Sequence, residues 1–250
     1  LVLAHTATGT ITGGTPHTDA LLVNHGSLTF PAGFTWSGSG TLDNRGTFEL
    51  AGGYSVRTLN SGTLRKTGTG TATLGSALTS TGTIDVQAGT LLLNGSANSI
   101  GGTSTVSAGA TLRFGNASTH QAGGTIAGAG TLSLTGGTQT LAGDVTWPVA
   151  TVAMAGATVV TSPGSATVAG AFAWSAGFLI GGNGGALVLD DTAAGSITGG
   201  VLHTDALLVN HGTLTFPAGF SWSGSGTLDN RGTFEVAGSY SVRTLNSGTL

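Results

Sequence analysis

Short runs of alternating apolar and polar residues, most of them bounded by glycine, recur along the whole chain. In Thr47–Leu50 (TFEL) and Thr131–Leu134 (TLSL), for example, every second residue is apolar. Successive side chains of a β-strand point to opposite faces, so each run predicts a short strand with one buried face. The 46 glycines and the abundant threonines disfavour helix. The pattern therefore predicts an all-β protein.

The strand pattern recurs with a period of about 20–21 residues, which is too short for helix-pair repeats or propeller blades. The small residues that precede the first strand of each unit are Ala20, Gly40, Gly62, Gly82, Gly102, Gly124, Asp144, Ser165, Gly185, Ala206 and Gly226. Such a period predicts a parallel β-solenoid, in which each coil buries its apolar face against its neighbours. We expect a right-handed winding, because the strict hexapeptide rhythm of left-handed solenoids is absent.

A longer repeat contains the short one. Residues Leu187–Leu250 repeat Leu1–Leu64 without a gap, with 54 of 64 positions identical. The nine anchor steps from Gly40 to Gly226 span one 186-residue repeat, which predicts nine coils per long repeat. We therefore expect one continuous solenoid over 1–250, with the first long repeat at 1–186 and the start of a second at 187–250.

The repeat also predicts which residues stack on adjacent coils. Asn24 and Asn44 follow their anchors by four positions, as do Asn210 and Asn230, which predicts a structural asparagine ladder at one corner. Asp43 and Arg65 each follow their anchors by three positions, which places them beside each other on adjacent coils. An inward apolar stack is predicted for Phe48, Leu50, Leu91, Leu93, Leu112, Phe114, Leu132, Leu134, Val152, Met154, Phe172 and Trp174. Core packing is favoured over a ligand-binding aromatic strip for Trp36 and Trp174.

Composition restricts the functional classes. Only 7% of residues are charged, and the net charge of −3 gives no basic surface for nucleic acid. No apolar run approaches the roughly 20 residues of a membrane-spanning helix, so no transmembrane segment is expected. The mean hydropathy of +0.29 is high for a chain with a charged surface and has two possible explanations. Either neighbouring rods cover some outward faces, or small residues simply raise the average.

Candidate chemical groups are few. Asp190 and Asp191 form the only adjacent acidic pair, but the other copy has Ala4 and His5 there. The His-Thr-Asp segments at 17–19 and 203–205 recur in both copies, and local hydrogen bonds at a turn are the expected role. No nucleophile elbow, phosphate loop or zinc motif is present. We expect no enzyme activity and no catalytic, cofactor-binding or metal-binding residues.

The rhythm of segments 40–50 (GTLDNRGTFEL) and 82–95 (GTIDVQAGTLLLNG) resembles bacterial surface exoproteins. These are the right-handed β-helices of autotransporter passengers and filamentous-haemagglutinin-like adhesins. The resemblance implies export, an extracellular or cell-surface location, and a role in surface adhesion or biofilm matrix. The close similarity of the two long copies favours a tandem-repeat fibre over a single adhesin head.

A structural extracellular fibre or stalk is therefore the favoured function, with the chain itself as partner through end-to-end stacking or lateral bundling. Host or matrix glycans are further candidate partners. One alternative is a glycan- or ice-binding β-helix that uses outward threonines such as Thr69, Thr71, Thr213 and Thr215. That row is expected to be interrupted, because corresponding coils carry Glu49, Leu92, Arg113 and Ala173. The other alternative, a polysaccharide-degrading β-helix enzyme, lacks a clustered set of charges.

Overall fold

A computed structural model describes residues 1–13, 15–182, 184–199 and 201–250. Within these ranges the chain is an all-β parallel solenoid without helices, as the period predicts. Its strands are β1 (Val2–Leu3), β2 (Thr8–Thr10), β3 (Leu21–Asn24), β4 (Ser27–Phe30), β5 (Thr35–Asn44), β6 (Thr47–Leu50), β7 (Gly53–Asn60), β8 (Thr63–Lys66), β9 (Thr71–Leu74), β10 (Leu78–Ser80), β11 (Thr83–Val86), β12 (Thr90–Leu93), β13 (Asn98–Ile100), β14 (Thr103–Val106), β15 (Thr111–Phe114), β16 (Ser118–His120), β17 (Thr125–Leu134), β18 (Thr138–Leu141), β19 (Val145–Trp147), β20 (Val149–Thr161), β21 (Ala166–Val168), β22 (Ala171–Gly181), β23 (Ala186–Leu189), β24 (Ala194–Ile197), β25 (Val201–Thr204), β26 (Leu207–Asn210), β27 (Thr213–Phe216), β28 (Ser221–Ser223), β29 (Thr227–Asn230), β30 (Thr233–Val236), β31 (Ser239–Tyr240) and β32 (Arg243–Asn246).

Each full coil passes through three faces, and every face is a parallel ladder of strands along the rod. Face 1 comprises β1, β3, the second halves of β5 and β7, β10, β13, β16, β18, the second halves of β20 and β22, β25, β28 and β31. Face 2 comprises β2, β4, β6, β8, β11, β14, the first half of β17, β19, β21, β23, β26, β29 and β32. Face 3 comprises the first halves of β5 and β7, β9, β12, β15, the second half of β17, the first halves of β20 and β22, β24, β27 and β30.

The 13 strands of face 2, counted in the described ranges, give about twelve coils. At about 4.8 Å between paired strands, the rod is roughly 58 Å long. Its core is a continuous column of inward side chains, because no coil can bury its apolar residues alone. A cluster of Phe30, Trp36, Phe48 and Tyr54 shows how adjacent coils interlock, with the Trp36 and Tyr54 rings 4.9 Å apart in an edge-to-face arrangement.

All twelve residues of the predicted inward stack are buried, at most 2% exposed, but they occupy two faces rather than one. The ten from Leu91 to Trp174 form two paired columns on face 3. Phe48 and Leu50 instead lie on face 2, where Phe48 is paired with Leu28 and Leu64. The expectation that Phe48 and Leu50 stack in line with Leu91 and Leu93 is therefore wrong.

The displacement arises in one unusually short coil. Thr47 is paired with Thr63, whereas Thr63 is paired with Thr83, so the first of these two steps is four positions shorter. Two corners of this coil are each two positions shorter than in the coil before it. Leu50 to Gly53 takes the place of Phe30 to Thr35, and Ser55 to Arg57, within β7, takes the place of Ser37 to Thr41. The segment from Gly40 to Gly62 consequently advances the chain by four faces and not by the three of a single coil.

This extra face corrects the number of coils in the long repeat. Strand β3 lies on face 1, and its copy β26 lies on face 2. In the same way β4 lies on face 2, and its copy β27 lies on face 3. From β3 the chain reaches β25 after nine full coils on face 1, so the 186-residue repeat contains nine coils and one additional face.

Close backbone approach explains the glycines at the corner between faces 1 and 2. A Cβ atom on Gly62 would lie 2.1 Å from the carbonyl oxygen of Gly46, and one on Gly82 would lie 2.2 Å from that of Gly62. Neither glycine has a positive φ. At these two positions glycine is therefore required for lack of space and not for conformational freedom.

Candidate functional site

The first asparagine ladder is a buried chain of side-chain hydrogen bonds along the corner after face 1. Asn24 Nδ2 donates to Asn44 Oδ1 at 2.7 Å, and Asn44 Nδ2 donates to Asn60 Oδ1 at 2.7 Å. Asn60 Nδ2 ends the series on Ser80 Oγ at 3.0 Å. Each amide also donates to the carbonyl that begins a following face-2 strand, at 2.9, 3.0 and 3.1 Å. The ladder therefore ties adjacent coils together and gives each buried amide group at least two acceptors.

The second copy builds the same ladder at the next corner, after face 2. Asn210 Nδ2 donates to Asn230 Oδ1 at 2.7 Å, and Asn230 Nδ2 donates to Asn246 Oδ1 at 2.6 Å. Fixed spacing between coils did not identify Asn60 or Asn246, because both belong to the short coil of their copy. The local signal was an asparagine two positions before a glycine, which all these members share.

Two of the buried polar residues that were not identified from the sequence carry ionisable side chains. The first is His120, which occupies an inward position between Ile100 and Leu141 of the neighbouring coils. Its Nε2 is 3.2 Å from Gln139 Oε1, and its ring packs against Trp147 with centroids 5.7 Å apart. Burial lowers the pKa of His120 from 6.5 to about 4, so the imidazole is neutral in the folded rod at neutral pH.

The second is Lys66, the sole lysine of the chain, which is 1% exposed. It occupies an inward position between Leu50 and Val86. Its ammonium donates to the carbonyl oxygens of Thr67, Gly68 and Ala88. Burial lowers its pKa. The ammonium therefore joins the turn after β8 to the corresponding turn of the next coil, which is a structural role.

The repeated His-Thr-Asp segments form an exposed corner cluster, as expected for a turn. His203 Nε2 is 2.9 Å from Asp205 Oδ2, and Asp205 Oδ1 accepts hydrogen bonds from the Ser225 backbone N–H at 3.0 Å and from its hydroxyl at 2.7 Å. The hydrogen bonds from Ser225, and then that from His203, lower the pKa of Asp205 to about 2. The serine hydroxyl donates to the carboxylate and not to the imidazole, so the geometry is not that of a nucleophile and its base.

The first copy repeats this cluster with His17, Asp19 and Ser39. Asp19 Oδ1 accepts from the Ser39 backbone N–H at 2.9 Å and from its hydroxyl at 2.8 Å. His17 Nε2 lies 3.0 Å from the Asp19 carboxylate. Each cluster therefore connects one coil to the next through an aspartate.

The ion pairs differ from the expectation that Asp43 lies beside Arg65. Asp43 is bound by Arg45, with Arg45 Nη2 2.7 Å from Asp43 Oδ2. Arg65 instead lies 3.2 Å from Asp85, on the next coil. The short coil is the reason, because it pairs Asp43 with Leu59 and moves Arg65 onto face 2. Because solvent screens both arginines, these pairs contribute little to stability.

Outward threonines on face 2 form a longer uninterrupted column than the sequence spacing between coils predicts. On face 2 the first outward position carries a hydroxyl in nine successive paired strands. They are Thr8, Ser27, Thr47, Thr63, Thr83, Thr103, Thr125, Thr146 and Thr167. The neighbouring outward column is interrupted by Glu49, Arg65 and Asp85. The face is therefore a single file of hydroxyls and not a two-dimensional array.

Few other features could hold a ligand. In the described ranges, no group of three or more histidines or acidic residues could hold a metal ion, and Asp190 and Asp191 have no such neighbours. An open groove of about 230 Å³ lies beside β27 and β30 and is lined by Thr215, Phe216, Pro217, Glu235, Val236 and Ala237. Trp36 and Trp174 are buried in the core, 2% and 0% exposed. The described residues contain no helix long and apolar enough to cross a membrane.

Comparisons with known proteins identify no relative. No protein-family model matches the chain, and no similar protein was found among curated proteins or solved structures.

Proposed function

We propose that this chain is part of a structural extracellular fibre or stalk, built from tandem solenoid repeats, that serves surface adhesion or a biofilm matrix. The observation that carries the proposal is the continuity of the rod across the repeat boundary. Residues on both sides of position 186 belong to the same three ladders. A repeat that continues the preceding coils in this way can be added without a linker.

Backbone hydrogen bonds cross the boundary on every face. Asp190 N donates to Val168 O at 3.0 Å on face 2, and Thr198 N donates to Trp174 O at 2.9 Å on face 3. On face 1, Asp205 N donates to Leu179 O at 2.9 Å. These bonds run along the rod axis, so a pulling force on the fibre is shared among three ladders. The asparagine ladders add a fourth axial connection in each copy.

Immunogold electron microscopy with antibodies against the 250-residue chain tests this proposal on the source cells. Label along extended surface filaments, together with loss of signal when intact cells are treated with protease, is the expected result. Signal that appears only after the cells are permeabilised contradicts the extracellular assignment. Extracted material that consists solely of compact single particles contradicts the fibre.

A glycan- or ice-binding solenoid is the second candidate, and the nine-membered hydroxyl column on face 2 favours it. Hydroxyls spaced at about 4.8 Å could accept and donate hydrogen bonds along an extended ligand. Glycan-array binding or thermal hysteresis by the wild-type chain, lost in Thr83→Val/Thr103→Val, would support this candidate. The fibre proposal predicts neither activity.

A further inference from the structure

The two copies of the repeat present the same features in different directions around the rod. Strand β3 and the second half of β5 lie on face 1, and their copies β26 and β29 lie on face 2. The exposed corner cluster moves in the same way. The cluster of His17 and Asp19 lies between faces 3 and 1, and that of His203 and Asp205 lies between faces 1 and 2.

We infer that each 186-residue repeat advances the chain along the rod by nine coils and turns it about the rod axis by one face. In an array of repeats, a feature that occurs once per repeat therefore appears on each of the three sides of the rod in turn. This inference rests on the proposed fibre for its biological meaning. Copies one, two and three show a given corner in three directions, and the same direction returns only with every third copy. The axial step between copies is about 45 Å, from the spacing of paired strands.

The physical cause is a mismatch between the two periods. A coil has three faces, and the short coil around β7 adds one face to nine complete coils. The same short coil recurs in the second copy, where Thr233 is paired with Thr249 at the same separation as Thr47 and Thr63. The offset is therefore encoded in each copy and accumulates along an array in one sense.

The rotation between copies determines on which sides of the fibre a binding partner meets the corner cluster. A repeat with a whole number of coils would align each corner cluster along one edge, leaving the other edges without it. The observed repeat distributes the clusters around the axis, so a partner that recognises one meets it from any side. This arrangement suits an adhesive or cross-linked fibre whose orientation about its own axis is not controlled.

Engineered disulfides test the phase directly, and the absence of native cysteine simplifies the readout. Thr47→Cys/Thr63→Cys joins adjacent paired strands, whose spacing suits a disulfide. We expect rapid cross-linking on mild oxidation. The control Thr41→Cys/Thr63→Cys follows the whole-coil register that the anchors Gly40 and Gly62 predict, and we expect none. The reverse outcome, with the control pair cross-linked, overturns the inference.

A second pair examines the boundary itself. Phe178 is paired with His203 on face 1, whereas Ala173 lies on face 3. Phe178→Cys/His203→Cys should cross-link, and Ala173→Cys/His203→Cys should not. Cross-linking of the Ala173 pair places the copied cluster on the original face and overturns the inference. Should the Thr47 pair disturb folding, Thr233→Cys/Thr249→Cys is the equivalent pair in the second copy.

Display around the rod is measured with gold clusters on Thr35→Cys/Ser221→Cys, two equivalent exposed positions on faces 3 and 1. Tomography should find the two labels about 45 Å apart along the axis and on different sides. Labels on one side overturn the inference. None of these measurements requires filaments, so a failure to find fibres on cells refutes the proposed function alone.

Discussion

The asparagine ladder should stabilise the rod only where it is buried, and the repeat supplies a matched control. Asn60 and its copy Asn246 share the local sequence Arg-Thr-Leu-Asn-Ser-Gly-Thr-Leu. Asn60 is 2% exposed, whereas Asn246 lies on the outermost coil of this 250-residue chain and is exposed there. The same substitution to alanine therefore changes the same local sequence in two different environments.

The expected magnitude follows from the hydrogen bonds lost. Asn60 accepts from Asn44 at 2.7 Å and donates to Ser80 at 3.0 Å and to the Thr83 carbonyl at 3.1 Å. Asn60→Ala removes all three bonds at a buried corner. At about 1 kcal/mol for each bond, its free energy of unfolding should fall by about 3 kcal/mol.

Asn246 accepts from Asn230 at 2.6 Å and donates to the Gly248 carbonyl at 3.3 Å. Water can replace these bonds at an exposed site, so Asn246→Ala should cost less than about 1 kcal/mol. Urea unfolding monitored by tryptophan fluorescence gives the comparison. Hydrogen exchange in each coil locates the effect, because a solenoid can open locally. Equal losses for the two variants, or a loss below about 1 kcal/mol for Asn60→Ala, would refute the assignment of stability to the buried ladder.

Three further predictions concern buried groups and tight corners. The pKa of His120 falls from 6.5 to about 4 on folding, so the unfolded chain binds a proton first as the pH drops, and the free energy of unfolding should fall by about 3 kcal/mol between pH 6.5 and 4. Thermal melts across this range should show a smaller dependence on pH for His120→Leu than for the wild-type chain. Gly38→Ala places a Cβ 1.8 Å from the Thr18 carbonyl oxygen at φ +142° and should lower the free energy of unfolding by about 3 kcal/mol or more. The control Gly33→Ala, at φ +87° with no neighbouring atom in the way, should lower it by about 1 kcal/mol, and similar urea midpoints for the two variants would contradict this prediction. Lys66→Met leaves three turn carbonyls without their donor and should cost about 2 kcal/mol in urea unfolding, and a more stable variant would show that release of the buried charge outweighs those bonds.

Local sequence identified the elements of this fold well, because strand burial depends on neighbouring residues. The alternation in Thr131–Leu134 predicted which side chains point inward, and the structure buries Leu132 and Leu134. The spacing of Asn24 and Asn44 from their anchor residues placed them correctly at one corner, where Asn24 Nδ2 donates to Asn44 Oδ1 at 2.7 Å. The parallel solenoid followed from the regular recurrence of the strand pattern.

The wrong pairings arose because residues were aligned by a nearly constant coil length, whereas the alignment depends on which face each strand occupies. Sequence spacing assigned Asp43 to Arg65 and aligned Phe48 with Leu91, and both assignments assume coils of nearly equal length. The structure pairs Asp43 with Leu59 instead. A coil can be shortened at a corner without losing a strand, so length alone did not reveal the short coil.

The sequence by itself determined the all-β class, the coil rhythm, the inward positions and the near-identity of the two copies. Only the tertiary structure decided which face each strand joins, and hence the burial of His120 and Lys66 and the rotation of the second copy by one face. The physical reason is that alternation is set within a strand, whereas the register between coils is set by how tightly each corner turns and by what then stacks above and below it.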